Sequence, residues 1–472
     1  MLRAVRMSDA LQFDAATLRR YDKPGPRYTS YPTAPHFGPQ FTEAMLREHV
    51  HRTNLWPIPR RLSLYVHVPF CFSPCFYCGC NRIITRDVSR AAPYLARLQR
   101  ELAMIGALFD RNREVVQVHL GGGTPNFMRP ADIGALLATA DDHFRLSDSA
   151  ERDFSIELDP RHVQAGDVAQ YARMGFNRAS LGVQDFDPEV QRAVNRIQSV
   201  EETLRVIDAC RAEGFRSVNV DLIYGLPKQT IAGFSRTLDT VLAARPHRLA
   251  VYSYAHLPAM FKAQRQIEDA DLPDNEAKLG LLALAIEKLS RAGYLYIGMD
   301  HFALPDDDLS RAQEHGSLQR NFMGYTTHAD CDLVGLGMSA ISHIGESFSQ
   351  NARDLPGWQS AVDSGHLPVW RGRELYFDDA LRGEVIQQLM CQGRIDMPAI
   401  EARFAIDFPS YFATSLAQLR PLAGDGLVMI TNRSITATAR GRLLLRVIAM
   451  CFDRYLDSAP LPATRPQFSR VI

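Results

Sequence analysis

The chain has 472 residues, 53 basic against 53 acidic side chains, and 46% hydrophobic content. That length predicts one large domain with an appendage, or two to three domains, with enough apolar residues to bury a sizeable core. Zero formal net charge removes the simplest argument for a nucleic-acid or acidic-membrane binder, and ordinary Gly and Pro levels exclude collagen-like and low-complexity classes.

Met1 to Lys23 is interrupted by Arg3, Arg6, Asp9 and Asp14, so no apolar leader is read there. The longest apolar run, Leu279–Ile286, ends at Glu287 and Lys288 and is far shorter than the ~20 residues of a membrane span. A soluble, cytoplasmic protein is expected, with no membrane partner. Strand-like runs follow at Leu62–Val68, Val115–Leu120, Phe154–Leu158, Arg178–Val183, Ser217–Ile223 and Arg248–Tyr254. Helical patterns lie between them, at Ala92–Leu108, Asp132–His143, Val200–Glu213 and Ile231–Ala244. This alternation predicts βα units on a parallel sheet, and six of them suit a partial or open barrel.

After Pro258 the alternation weakens: a helix is expected at Asn275–Arg291, a strand at Tyr294–Met299, then a Gly-dotted stretch through Ile344. From Tyr376 the pattern turns to helices, two short strands (Leu427–Ile430, Ser434–Thr438) and a last helix, Arg440–Leu456, the order of a small winged-helix-like domain. Tyr376–Ile472 holds 11 basic against 9 acidic residues without a basic stripe, so it reads as a lid or packing domain and no nucleic-acid partner is expected. The expected division is 1–55 as an N-terminal strap, 56–370 as a catalytic barrel with its extension, and 371–472 as the lid.

The strand ends gather polar and Gly-rich residues: Gly121-Gly122-Gly123-Thr124-Pro125, Glu157-Leu158-Asp159-Pro160, Gln184-Asp185, Tyr224-Gly225-Leu226-Pro227 and Ala255-His256-Leu257-Pro258. In parallel α/β architectures the site lies at that edge, so one central pocket is expected.

Four of the eight cysteines, Cys71, Cys75, Cys78 and Cys80, fall within ten residues, while Cys210, Cys331, Cys391 and Cys451 are scattered and read as small buried hydrophobes. Cys71-Phe72-Ser73-Pro74-Cys75-Phe76-Tyr77-Cys78 is a C-x3-C-x2-C loop directly after a strand. Three thiolates on one tight loop suit three irons of a [4Fe–4S] cube with the fourth open to an external chelate. A zinc site on all four cysteines is the alternative, although no second ligand pair exists elsewhere. The glycine loop lacks both the P-loop Lys-Ser/Thr and the G-x-G-x-x-G order of dinucleotide sites.

The cysteine loop resembles that of the radical S-adenosylmethionine (SAM) enzymes, where it follows the first strand of a partial (β/α)6 barrel. The finer resemblance, from about Tyr21 to Leu456, is to the oxygen-independent coproporphyrinogen III oxidases. It is carried by Gly25–Pro32, Tyr65–Cys71, Cys78–Asn81, Gly182–Phe186, Val194–Arg196, Asp221–Gln229, Arg320–Phe322 and Gly324–Thr327. The fold implied is α/β: a partial (β/α)6 radical SAM barrel with an N-terminal strap and a small, mostly helical, winged-helix-like C-terminal domain.

The resemblance implies a [4Fe–4S] cluster on Cys71, Cys75 and Cys78, and two SAM molecules. The cluster-bound SAM would meet Tyr65, Gly122, Glu157 and Ile341. The second would meet Tyr77, Gly123, Thr124, Gln184, Arg196, Asp221 and Ala255. Roles in the chemistry are implied for His67, Cys80 and Phe322, with Cys80 outside the cluster ligands. A strand places Tyr65 and His67 on one face, Glu157 and Asp221 can accept from an amine or ribose hydroxyls, and Arg196 can hold a carboxylate.

The implied reaction is oxidative decarboxylation of coproporphyrinogen III: a deoxyadenosyl radical takes hydrogen from the β-carbon of each of two propionates, which become vinyls. A low-potential electron donor such as flavodoxin or ferredoxin and a monomeric state are expected. Arg27, Arg178 and Arg320 are the candidates to bind substrate carboxylates, and Arg27–Pro32 is expected to close over the pocket. Two departures from the family pattern stand out: Met323 replaces a Gln, and His328-Ala329 follows Thr327 in place of Gln-Gly. The rival readings are a haem-trafficking protein and a haem-degrading radical enzyme on the same scaffold.

Overall fold

A computed structural model describes residues 11–328, 330–457 and 468–470. Residues 1–10, Ala329 and the remainder of the C-terminus, which belong to the expected strap, the His328-Ala329 departure and the expected lid, lie outside the described residues.

The first half of the chain supplies β1 (Arg61–Val68), β2 (Phe70–Cys71), β3 (Ile83–Ile84), β4 (Glu114–Gly122), β5 (Arg145–Leu146), β6 (Asp153–Leu158), β7 (Arg178–Gln184), β8 (Ser217–Tyr224) and β9 (Arg248–Ser253). Strands β9, β8, β7, β6, β4 and β1 lie side by side in that order, all parallel. These are the six predicted barrel strands. They are rich in β-branched and large apolar residues because helices pack on their outer face. The helix Ala91–Gly106 buries Tyr94, Leu98, Leu102 and Ile105, spaced four, four and three apart on one face. Burying a Leu such as Leu98 stabilises the fold by roughly 1.5–3 kcal/mol. Ser199 and Glu202 form a reciprocal capping box that starts the helix Val200–Ala212.

The Gly-dotted stretch is more structured than its sequence pattern. After β10 (Leu295–Gly298), the strand expected at Tyr294–Met299, it contains β11 (His301–Ala303), β12 (Gln319–Asn321), β13 (Gly324–Thr326), β14 (Cys331–Leu336) and β15 (Ile341–Ile344), and β16 (Ser347–Asn351) and β17 (Val369–Glu374) follow it. β14 adds a further parallel strand beside β1, and β15, β16 and β17 continue the sheet antiparallel. On the far side β11 and β10 extend it from β9. The barrel is therefore open, with both rims prolonged. Gly335 explains one interruption: a Cβ there would stand 2.5 Å from the carbonyl oxygen of Ile341.

The C-terminal unit begins with the helix Phe377–Gln392 and holds a three-stranded antiparallel sheet, β18 (Arg394–Asp396), β20 (Ser434–Ala437) and β19 (Val428–Ile430). β18 was not anticipated; three residues carry no periodicity. The expected last helix is broken into a 3-10 turn Gly441–Leu444 and two short helices, Leu445–Met450 and Arg454–Asp457. At the break, Asp453 accepts from the Tyr28 hydroxyl at 3.0 Å and from the Tyr455 amide at 2.9 Å.

The same contact ties the strap segment to the C-terminal unit. Tyr28 and Tyr31 are buried in the apolar core of the C-terminal unit, and Arg446 donates to the carbonyls of Gly25 and Pro26. Residues Arg27–Pro32 are thus anchored to the C-terminal unit and do not line the cysteine cavity. Two scattered cysteines, Cys210 and Cys391, are buried as expected; Cys331 and Cys451 are only partly so. Among the described residues no helix is long and apolar enough to cross a membrane.

Candidate functional site

At the C-terminal edge of the parallel strands lies a cavity of about 250 Å³. It is lined by Cys71, Cys75, Cys78 and Cys80, by Tyr77, by Gly122, Gly123 and Thr124, and by Glu157, Gln184, Arg196 and Asp221. Twelve of the site residues expected from sequence are thus brought to one space.

The cysteine loop is shaped by its neighbours. β2 pairs with β3, fixing the start of the loop at Cys71. Asn195 Nδ2 donates to the Pro74 carbonyl at 2.7 Å, and the Phe76 amide to the Val194 carbonyl at 2.9 Å. Arg82, unremarked in the sequence, donates to the carbonyls of Cys78 (3.0 Å), Cys75 (3.2 Å) and Cys80 (3.4 Å). Each loop thiol also meets a donor: Thr124 Oγ1 at 3.4 Å from Cys71 Sγ, Arg196 Nη1 at 3.7 Å from Cys75 Sγ, and the Cys80 amide at 3.4 Å from Cys78 Sγ. The Cys80 thiol adds a second hydrogen bond to Cys78 and holds its pKa below that of a free thiol.

The glycine loop needs its glycines. A Cβ on Gly123 would stand 2.7 Å from the Pro69 backbone, and one on Gly122, at φ +110, 2.5 Å from the His67 ring. Gly122 donates its amide to Glu157 Oε2 at 3.1 Å, while His119 Nε2 lies 3.3 Å from Glu157 Oε1. Burial works against the Glu157 charge, but the bonds from His119 and Gly122 outweigh it and hold its carboxyl below the usual range. His119 was missed in the sequence; its place two residues before Gly121 on β4 is the signal that could have found it.

Tyr65 and His67 do not line the cavity itself; His67 borders it at Gly122, and Tyr65 stacks on His119. As their alternation predicts, they share a face: Tyr65 Oη is 3.1 Å from His67 Nδ1. His67 Nε2 lies 2.9 Å from the Asn81 carbonyl, which can only accept, so Nε2 carries the proton and Nδ1 accepts from Tyr65. Burial lowers the His67 pKa and keeps the ring neutral.

A β-bulge in β7 places Gln184 at φ 69, a left-handed conformation that turns its side chain into the cavity wall. Arg196 donates to the Gly182 carbonyl at 2.6 Å and pairs with Asp159, which also holds Arg161 at 2.6 Å. Burial opposes its charge, yet Tyr77, Asp159 and Cys75 keep Arg196 firmly cationic. Asp221 accepts from Asn219 at 2.8 Å and Ser180 at 3.3 Å, and burial pushes its pKa up to about 7.

Besides Tyr65 and His67, three further expected residues lie outside the cavity lining. Ala255 is adjacent, since Gln264 Nε2 donates both to its carbonyl (3.2 Å) and to that of Tyr77 (2.9 Å). Ile341 sits on β15 opposite Gln350. Phe322 is at the tip of the β12–β13 hairpin, packed edge-on against Phe37 and Phe348. Of the candidate carboxylate binders, Arg178 is corrected: at the N-terminal end of β7 it is ion-paired to Asp153 (3.1 Å) and Asp308 (2.5 Å), on the opposite edge of the sheet.

Comparison with known proteins agrees with this geometry. The family model of the Radical SAM superfamily matches residues 65–241, and that of the HemN C-terminal domain matches residues 377–444. An oxygen-independent coproporphyrinogen III oxidase of Pseudomonas aeruginosa is 50% identical over 99% of this chain and 100% of its own. The chain belongs to the oxygen-independent coproporphyrinogen III oxidase family. The Escherichia coli relative of that name is 48% identical over 98% of this chain and 99% of its own. The solved structure of Escherichia coli coproporphyrinogen III oxidase (HemN), described as a radical SAM enzyme, superimposes with a TM-score of 0.90 at 46% identity, covering 94% of this chain and 99% of that one.

Members of the superfamily use a [4Fe–4S] cluster and SAM, and the residues present fit both. Among the described residues no three His, Cys, Asp or Glu side chains converge as a single-ion site requires. The donor set is instead three unpaired thiols of one loop, each hydrogen-bonded at sulfur, as a cube with separate ligated corners accommodates. Gln184 Oε1 and Arg196 Nε are buried at the cavity wall without a hydrogen-bond partner, polar atoms suited to a zwitterionic amino-acid ligand.

Proposed function

We propose that this protein converts coproporphyrinogen III to protoporphyrinogen IX without oxygen, turning two propionates into vinyls by oxidative decarboxylation. The observation that carries the reading is the single cavity uniting the three-thiol loop, the glycine loop and the two carboxylates Glu157 and Asp221, in a chain matched over nearly its full length by named oxidases. Those relatives favour decarboxylation over haem carriage or haem breakdown.

When bound, the cluster and SAM supply the one-electron cleavage that makes hydrogen abstraction possible. The chain's residues bind and orient. Cys71, Cys75 and Cys78 hold the cluster, with Cys80 as hydrogen-bond donor to Cys78 and not a ligand. Tyr65, Gly122, Glu157 and Ile341 receive the SAM at the cluster; Glu157, kept ionised, accepts from its amino group. Tyr77, Gly123, Thr124, Gln184, Arg196, Asp221 and Ala255 would receive a second SAM, with the unpartnered Arg196 Nε available to its carboxylate. His67 holds its proton at Nε2 and bridges Tyr65 to the Asn81 carbonyl. Phe322 faces the substrate at the hairpin tip.

The reading includes a low-potential donor such as flavodoxin or ferredoxin, a monomer, a cytoplasmic location, and the division 1–55, 56–370 and 371–472. Its test is substrate choice. The anaerobically reconstituted protein, given SAM and reductant, is expected to release carbon dioxide from coproporphyrinogen III and to leave haem intact. Stoichiometric haem binding without decarboxylation would contradict it.

A further inference from the structure

Apart from the residues lining the cavity, the protein holds a second group of enclosed polar side chains. Tyr252, on β9, is a neighbour of Asp221. The ring of His301 meets that of Tyr252 edge-on at 5.7 Å and that of Tyr325 at 5.3 Å. The guanidinium of Arg320 lies 4.8 Å over Tyr325. Ring contacts therefore link Tyr252, which feels the charge of Asp221, through His301 and Tyr325 to Arg320.

Arg320 is 8% exposed, and both its Nε and Nη1 are buried without a hydrogen-bond partner. Its backbone is held: Gln387 Nε2 donates to the Arg320 carbonyl at 2.8 Å. The side chain is thus a fixed cation with donors unused. Leaving such groups unpaired in a protein interior is costly, by about 1–3 kcal/mol each and more for charged groups. The nearby carboxylate, Asp300, makes its direct ion pair with Arg27 at 3.1 Å. Asp300 also feels Arg446 and Arg320, three guanidiniums against one carboxylate. Burial and Arg320 together keep His301 neutral, and its Nδ1 is likewise buried without a partner.

We propose that Arg320 is the subsite that binds one propionate carboxylate of the porphyrinogen. A planar carboxylate accepts two parallel N–H bonds from a guanidinium, and either unpartnered donor, Nε or Nη1, can supply one of them with the neighbouring Nη2 as the other. Arg27 stays on Asp300 and contributes field, and Arg178 is excluded by its own ion pairs. The inference rests on the decarboxylase reading and adds to it the residue that orients the substrate.

The test uses reconstituted holoprotein and two probes, coproporphyrin III and its tetramethyl ester. Wild type is expected to bind the tetra-acid at least roughly tenfold more tightly than the ester, and Arg320→Gln to lose most of that preference. Arg320→Lys is expected to keep part of it. SAM affinity and iron content are expected to stay at wild-type values in both variants. In turnover the loss is expected in KM more than in kcat. Equal wild-type affinity for acid and ester, or an undiminished preference in Arg320→Gln, would overturn the proposal. So would weakened SAM binding with porphyrin binding intact, which would assign Arg320 to the SAM carboxylate. If Arg320→Gln does not fold, the wild-type comparison and Arg320→Lys decide. A wild-type protein that binds the tetra-acid but never decarboxylates coproporphyrinogen III would sink the underlying reading instead.

Discussion

Nη2 of Arg82 lies 3.2 Å from the carbonyl oxygen of Cys75, and the same guanidinium reaches the carbonyls of Cys78 and Cys80. One side chain therefore closes the whole cysteine loop without touching a thiol. Arg82→Met is expected to weaken cluster retention roughly tenfold or more, as removal of an outer partner of a metal ligand does. Iron and sulfide content after reconstitution, followed through chelator challenge, measures it. Retention equal to wild type would show that the loop holds its form alone.

His119 donates toward Glu157 and its ring stacks at 5.8 Å on Tyr65. His119→Phe keeps an aromatic ring and removes the donor. SAM affinity is expected to fall roughly tenfold, the worth of a hydrogen bond to a charged group, while iron content stays unchanged. Equilibrium binding of SAM to the reconstituted variant reads both sides of this expectation.

Asp221 titrates near neutrality because burial pushes its pKa up to about 7. A ligand whose amine or hydroxyls require the ionised carboxylate binds more tightly as pH rises through that value. Affinity at this subsite is expected to gain up to about tenfold per pH unit below about pH 7 and to level off above it. Asp221→Asn is expected to flatten the profile. A pH-independent wild-type affinity would remove Asp221 from the ligand's contacts.

Outside the cavity lining, Glu101 is buried and accepts from the Gly337 amide (2.9 Å), Trp358 Nε1 (2.9 Å) and Asn351 Nδ2 (2.7 Å). Burial nevertheless raises its pKa to about 7. With the folded pKa above the unfolded one, its contribution to stability is full below the unfolded value and is lost as pH rises through about 7. Wild type measured against Glu101→Gln is expected to lose about 2 kcal/mol between about pH 5.5 and pH 7.5. Urea unfolding at the two pH values measures the difference.

The six barrel strands and the helices Ile231–Ala244 and Asn275–Arg291 were legible because long apolar runs and helical spacing survive in the sequence. The flanking strands were not: β11, β12, β13 and β18 are three residues each, too short for any period. Tyr65, His67 and the cysteine loop announced themselves by local spacing. His119, Arg82 and Asp159 did not: the partners of His119 and Asp159 lie 38 and 37 residues away, and Arg82 acts on backbone carbonyls, which no motif records. Arg178 and Arg320 make the same point. As sequence they are equivalent arginines; one is neutralised by two aspartates, and the other is buried with its donors unused.

The most direct measurement is product analysis of the anaerobically reconstituted protein supplied with SAM, a low-potential reductant and coproporphyrinogen III. Protoporphyrinogen IX is expected, with one 5′-deoxyadenosine formed for each vinyl group. No deoxyadenosine and no vinyl product above a Cys75→Ser control would contradict it.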